Sequence, residues 1–345
     1  RHRGAGVAHP DPPPRMSPAR RALLAVGLSL ASTLFFTATY VFNRAAAVDG
    51  GHWAWTAALR YLCTLPLLLV LMPWQGGTAP VLRAMRAAPG AWLAWSGVGF
   101  VAFYILLSVA AASGPAWLVA GSFQTTVVAG MLCAPLLYRD ARARIPRAAF
   151  AVGVVVLAGV LLMQVGHARG VLDAHAWFAL ACVVASAFAY PLGNRGLLLH
   201  LERHGTDLNA TQRVFGMTLA SQPAWLALAA WAWTQAGAPP MAQVGFAFGV
   251  ALSAGVVATI LFFQATGMVR DNPTALGAAE AMQAAEVLFS VALGALFLGE
   301  AWPHGIALAG AMLVVAGIGL FAWVVAHDAR RGTREAEAMR GDRGG

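Results

Sequence analysis

Apolar runs of about 20 residues recur along the whole chain, each long enough as a helix to cross roughly 30 Å of hydrocarbon. They fall roughly at 22 to 42, 53 to 73, 91 to 113, 115 to 138, 149 to 167, 176 to 194, 214 to 235, 244 to 268, 275 to 299 and 304 to 325. A backbone in lipid must satisfy its own polar groups, so these spans are expected to be helices. The hydrophobic fraction of 59 % and charged fraction of 11 % exceed what one water-soluble core requires. The fold class read from the sequence is all-α integral membrane, with ten transmembrane helices.

Orientation follows from arginine, the only basic residue besides histidine, since the chain has no lysine. With the N-terminus inside, 20 of the 23 arginines fall on the inner side, Arg44 and Arg169 fall outside, and Arg60 lies within span two. The reverse orientation violates the positive-inside rule. The net charge of +9 is thus a topology signal, and no nucleic-acid partner is expected. Both termini are expected in the cytoplasm of a multi-pass inner-membrane protein. Residues 1–19 read as a disordered tail with Met16 as an alternative start, and residues 327–345 read as a second tail. Two inner segments, 79 to 90 and 197 to 213, read as short interfacial helices. The sequon at Asn209 falls on the inner face and carries no weight.

The halves echo one another. AVGVVVLAGVLLM (151 to 163) and AGAMLVVAGIGLF (309 to 321) agree at five of thirteen positions; Pro66 and Pro223 break spans two and seven; YVFNR (40 to 44) and YPLGNR (190 to 195) end spans one and six. These echoes divide the chain into five-helix repeats at 20–168 and 169–326. Five spans is an odd number, so the second copy enters the membrane from the opposite side, the inverted topology of secondary transporters.

ALRYLCTLPLLLVL (58 to 71) and AAEVLFSVALGALFLGEAWPHGIALAGAMLVVAGIGL (284 to 320), with Gly299-Glu300 and the glycines from Gly310 to Gly317, resemble the drug/metabolite transporter superfamily in its ten-span EamA-like form. NRAAAVDGGHWAWTAALRYL (43 to 62), GSFQTTVVAGMLCAPLL (121 to 137) and PLGNR (191 to 195) resemble its multidrug resistance efflux branch. The resemblance covers residues 20 to 326 and implies the fold; the superfamily carries amino acids, nucleotide sugars and drugs alike. Where the family often has Glu-Pro in span nine, this chain has Glu286-Val287, which puts the kink there in question.

No phosphate-cradling G-x-x-x-x-G-K-[ST] motif exists, so ATP-driven pumping by this chain is excluded. Nothing suggests an enzyme, a metal centre or a cofactor. Cys63, Cys133 and Cys182 lie far apart in apolar runs and read as small buried hydrophobes. The histidines sit near span ends, where an interfacial role suffices.

Glu286 lies about 11 residues into span nine, roughly 16 Å deep, where a carboxylate is costly unless paired or hydrated. It reads either as a proton carrier facing a cavity or as a structural partner of Arg60 or polar groups. Glu280 lies near 8 Å depth and reads as an interfacial anchor. With Gln283 the two glutamates, spaced by three, form a slanting polar ridge. Arg60 in span two requires an anionic or carbonyl partner: Glu286, or a backbone carbonyl beside Pro66. Gln124, Thr125 and Thr126 sit mid-span in the repeat-mate of span nine and can bond substrate or a neighbouring helix. Asn43, Arg44, Asn194 and Arg195 read as helix terminators or gate residues. Phe36, Tyr40, Phe103, Tyr104, Phe123 and Tyr190 can form a cation-friendly wall, or pack against helices and lipid.

The function expected is proton-coupled efflux of amphipathic or cationic small molecules by alternating access, with Glu286 exchanging protons against substrate. The alternatives are an exporter or exchanger of amino acids or similar metabolites, and a non-transporting scaffold or sensor. The expected partners are a small-molecule substrate, membrane lipid and protons, with the chain as monomer or homodimer.

Overall fold

A computed structural model describes residues 16–48, 50–113, 116–165, 174–297 and 302–341, and among them every regular element is helical. In chain order these are α1 (Pro18–Val48), α2 (Trp53–Leu71), α3 (Ala79–Ala87), α4 (Pro89–Ser96), α5 (Phe103–Ser113), α6 (Ala116–Phe123), α7 (Thr126–Leu137) and α8 (Arg147–Val165). The second half has α9 (Ala174–Arg203), α10 (Ala210–Ala236), α11 (Met241–Val250), α12 (Thr259–Met268), α13 (Pro273–Ala281), α14 (Ala285–Phe297) and α15 (Gly305–Gly341).

Among the described residues, eight helical stretches are long and apolar enough to cross a membrane, matching expected spans one, two, three, five, six, eight, nine and ten. The fourth expected span holds a shorter apolar stretch, Gly121–Leu137. The seventh coincides with α10, which has 27 residues but falls outside that group because it carries Gln212, Arg213, Ser221 and Gln222.

Pro66 and Pro223 sit inside α2 and α10 without ending either helix. Continuity breaks elsewhere. Between α4 and α5, residues Gly97–Ala102 widen to a π-helix, and between α11 and α12, Ala251–Ala258 do the same. Between α6 and α7 the backbone tightens: Val127 N–H donates to Gln124 C=O at 3.0 Å and Val128 N–H to Thr125 C=O at 3.1 Å. Between α13 and α14, Met282–Ala284 form a 3₁₀ turn. So span nine is interrupted just before Glu286 although no proline follows it.

The buried apolar side chains gather in two main cores. One is built from α2, α4, α5, α9, α10 and α12; the other from α1, α7, α8, α13 and α15. In the second, α8 and α15 approach backbone to backbone. A Cβ on Gly159 would lie 2.9 Å from the Gly310 carbonyl oxygen, too close for any side chain. Small residues permit such contact, and without a hydrophobic drive in lipid this packing is what associates helices.

Two expectations about chain ends change. Asn194 and Arg195 do not terminate span six, because α9 continues for two turns to Arg203; likewise α1 runs past Asn43 and Arg44 to Val48. The inner segment 197 to 213 is not a separate interfacial helix: α9 occupies its first part and α10 its last, whereas α3 supplies the short helix expected at 79 to 90. Asn209 has a local role. Its side chain accepts from Gln212 N–H at 2.9 Å while Gln212 Oε1 accepts from Asn209 N–H at 3.1 Å, a capping box opening α10.

Candidate functional site

The second core reaches the first through α9 and α1, and at that seam the chemistry collects. Arg195 of α9 donates through Nε and Nη2 to the two carboxylate oxygens of Glu280 of α13, at 2.8 and 2.7 Å. Both side chains are buried, at 3 % and 2 % exposure. The fork geometry matches guanidinium to carboxylate and offsets part of the cost of burying two charges. Room for it comes from α7, where the Glu280 carboxylate occupies the place a Cβ on Gly130 would take. Glu280 is therefore not a carboxylate reaching out to an interface: it is buried, and its charge is answered inside the bundle.

Immediately before Arg195 on α9, Asn194 Nδ2 donates to Thr266 Oγ1 at 3.1 Å, and one turn further towards the helix N-terminus Tyr190 stacks on Phe262 with ring centroids 5.4 Å apart. Tyr190 also meets Phe103 at 4.8 Å and the edge of Phe36 at 6.4 Å. Phe103 continues the contact to Phe123 and Tyr104, both at 5.8 Å. Five of the six aromatics expected in a wall thus form one connected group. The sixth, Tyr40, has its side chain outside the described residues, as do Asn43 and Arg44; Gly299 and Glu300 lie outside them too.

Arg60 lies at the far end of this group. Its guanidinium carbon sits 4.1 Å from the centre of the Tyr104 ring and 5.4 Å from that of Tyr61. It is 4 % exposed, and its Nε has no hydrogen-bond partner among the described residues. The Arg60–Glu286 ion pair considered from the sequence is not formed; two π faces take the place of an anion, an arrangement that desolvation strengthens. No backbone carbonyl beside Pro66 takes that place either: the Arg60 carbonyl accepts from Thr64 Oγ1 at 2.7 Å, but the guanidinium turns to the rings.

Glu286 is 6 % exposed in the first turn of α14 and lies within electrostatic reach of Tyr190. The 3₁₀ turn before it is tied to α1, since Thr33 Oγ1 donates to Met282 C=O at 3.2 Å. Gln283 is buried in that turn with its amide nitrogen unbonded among the described residues. Gln124 and Thr125 sit at the corresponding break between α6 and α7, with Gln124 buried and Thr125 Oγ1 donating to Ser122 C=O at 2.8 Å. So two glutamines occupy the two interruptions in spans four and nine.

Several members went unread in the sequence. Tyr61 stacks on Trp225 at 4.4 Å, with the rings within 4° of parallel, and meets Phe100 at 5.4 Å; Phe100 meets Phe263 at 6.1 Å. The i, i+3, i+4 spacing of Phe100, Phe103 and Tyr104 was a usable signal, because it places three rings on one helix face. Trp225, Phe262 and Phe263 lie far off in the chain and had none. Among the described residues no cluster of His, Cys, Asp or Glu is suited to a metal ion.

Known proteins resemble this chain along most of its length. The family EmrE, described as "Putative multidrug resistance efflux transporter", matches residues 22–327. A Bacillus subtilis (strain 168) protein named "Uncharacterized protein YjlA" is 42 % identical over 303 residues, spanning 85 % of this chain and 93 % of its own. A Shouchella clausii protein, "Uncharacterized 42.1 kDa protein in intracellular alkaline protease 3'region", is 37 % identical over 274 residues, spanning 78 % of this chain and 71 % of its own. A solved structure titled only "Crystal structure of protein" shares the fold, with TM-score 0.59 and 16 % identity over 89 % of this chain and 98 % of that one. With buried ion chemistry inside a bundle of helices long and apolar enough to span a membrane, and a family match from the first such helix to the last, the chain belongs to the EmrE family of transporters.

Proposed function

We propose that this protein is a proton-coupled exporter of amphipathic or cationic small molecules, working by alternating access as a ten-span bundle of two inverted five-helix repeats in the cytoplasmic membrane. The observation that carries the reading is Glu286: a carboxylate buried near the middle of span nine, directly after a break in its helix and within electrostatic reach of Tyr190, whose ring joins those of Phe103 and Phe36. An intramembrane carboxylate is costly to keep charged and is retained where it meets a substrate or a proton. Aromatic faces next to it suit an organic cation. In the proposed cycle Glu286 exchanges its proton for the cation, Gln124 and Gln283 bond the substrate at the two helix breaks, and the halves rock about them.

Support for the duplication comes from the paired irregularities. Spans three and eight each carry a π segment, and spans four and nine each tighten at a glutamine. A broken helix at the midplane is where transporters of inverted design place their sites. Both termini are assigned to the cytoplasm by the arginine distribution.

The test is reconstitution of wild type and Glu286→Gln in liposomes with an imposed pH gradient and a fluorescent organic cation. Gradient-driven uptake is expected in wild type and lost in the variant; undiminished uptake by the variant sinks the mechanism.

Arg60 favours a second reading, export or exchange of amino acids or similar metabolites. Its buried guanidinium faces two rings and its Nε has no hydrogen-bond partner among the described residues, which makes it a ready partner for a substrate carboxylate. Competition by zwitterionic solutes that disappears in Arg60→Gln supports this reading, and competition by organic cations alone opposes it.

A further inference from the structure

At the end of the bundle that carries most of the arginines, the turn between α9 and α10 and the C-terminal side of α12 line an open cleft of about 250 Å³. Its walls include Thr206, Leu208, Arg213 and Arg270. Arg213 is only 4 % exposed, unlike an ordinary loop arginine. Its Nη2 donates to the Phe263 carbonyl at 2.6 Å, and its guanidinium lies 5.5 Å from that residue's ring. Its Nε and Nη1 are buried and unbonded among the described residues. The guanidinium is accommodated by Gly267, where a Cβ would come within 2.7 Å of Nη2. A cation is thus held in place by a carbonyl, a ring and a glycine, with two donors left over beside an open cleft.

We propose that this cavity binds a phosphate-bearing group, either a phospholipid headgroup or a free phosphate ester, between Arg213 and Arg270. Buried donors without partners are costly, and an arginine cannot relieve that cost by losing its proton. Two guanidinium groups at one cavity match the charge and the several acceptor oxygens of a phosphate better than a single carboxylate. The space suits it, since about 250 Å³ is several times the roughly 30 Å³ share of one water. Two carboxylates also border the cavity. Glu202 is engaged by Arg142, whose Nη1 donates to it at 2.8 Å, which leaves Asp207 as the exposed acidic group a phosphate must tolerate. This site is separate from Glu286, and binding is its readout.

The test uses the full chain in detergent, and thermal unfolding is followed against inorganic phosphate at constant ionic strength. Wild type is expected to gain stability saturably, as mass action requires for a ligand of the folded state. Arg270→Gln, at a half-buried position that folding tolerates, is expected to weaken the apparent affinity at least fivefold, Asp207→Asn to tighten it, and Arg213→Gln to abolish it. Nanodiscs of a phosphate-free glycolipid with and without phosphatidylglycerol separate the two sources. Loss of the phosphate response when phosphatidylglycerol is present identifies a lipid headgroup; its persistence identifies a soluble phosphate ester. Equal responses in wild type, Arg270→Gln and Asp207→Asn, or no response to phosphate or phosphatidylglycerol, overturn the site.

Discussion

Arg195 and Glu280 meet through two parallel hydrogen bonds of 2.8 and 2.7 Å, and by doing so clasp α9 to α13 across the space left by Gly130 on α7. The pair joins helices belonging to the two cores, so its energetics bear on how those cores hold together.

Glu280→Gln leaves the Arg195 guanidinium buried without its counter-charge. Breaking a buried pair from one side costs about 3 to 5 kcal/mol in water-soluble proteins, and a loss of that order in detergent-solubilised protein is expected. The double variant Arg195→Met/Glu280→Met removes both charges and should recover most of the loss. Denaturant unfolding of the three proteins checks the coupling; additive losses would show that the pair does not act as a unit.

Gly310→Val forces two backbones apart where α15 crosses α8. Overpacking of this kind costs about 1 to 3 kcal/mol. The expected result is a lower midpoint in thermal unfolding, with Gly319→Val, whose Cβ meets open space, serving as the neutral control.

Tyr104→Leu removes the ring over which Arg60 lies. The cation–π contact is desolvated, so a loss of about 2 kcal/mol is expected, and Tyr104→Phe should lose much less because the face is kept. Equal losses in the two variants would assign the effect to the hydroxyl.

Asn209→Ala removes the cap of α10. A loss of about 1 kcal/mol is expected, and Asn209→Asp should retain most of the stability, since either side-chain oxygen accepts from the Gln212 N–H.

Asp140 is held at about 2, well below its ordinary 3.8, chiefly by the side-chain hydrogen bonds from Arg142. A depressed carboxylate contributes fully above its ordinary pKa and loses that contribution as pH falls through about 2. Nothing in this contact therefore titrates between about pH 5 and 8. Transport by Asp140→Asn should keep the pH profile of wild type over that range, whereas Glu286→Gln should flatten it. A profile shifted by Asp140→Asn would move the pH dependence away from span nine.

The sequence alone determined the class of the molecule. Runs such as Arg147–Val165 and Gly305–Asp328 are too long and too apolar for a core in water, and lipid leaves a helix as the way to satisfy their backbones. It also determined which polar residues are exceptional, because Arg60, Glu280 and Glu286 stand out against hydrocarbon wherever they point. What it did not determine was their partners. Depth along a helix assigned Glu280 to the interface, but Arg195, 85 residues away, decided its place, and only the packing of α9 and α13 against α7 brings them together. Depth likewise offered Glu286 to Arg60, where Tyr104 and Tyr61 were the neighbours that folding supplied. Hydropathy is a property of one segment at a time, so it reads from the chain directly. A charge buried in a bundle is settled by whichever side chains from other helices reach it, and only the tertiary structure decides that.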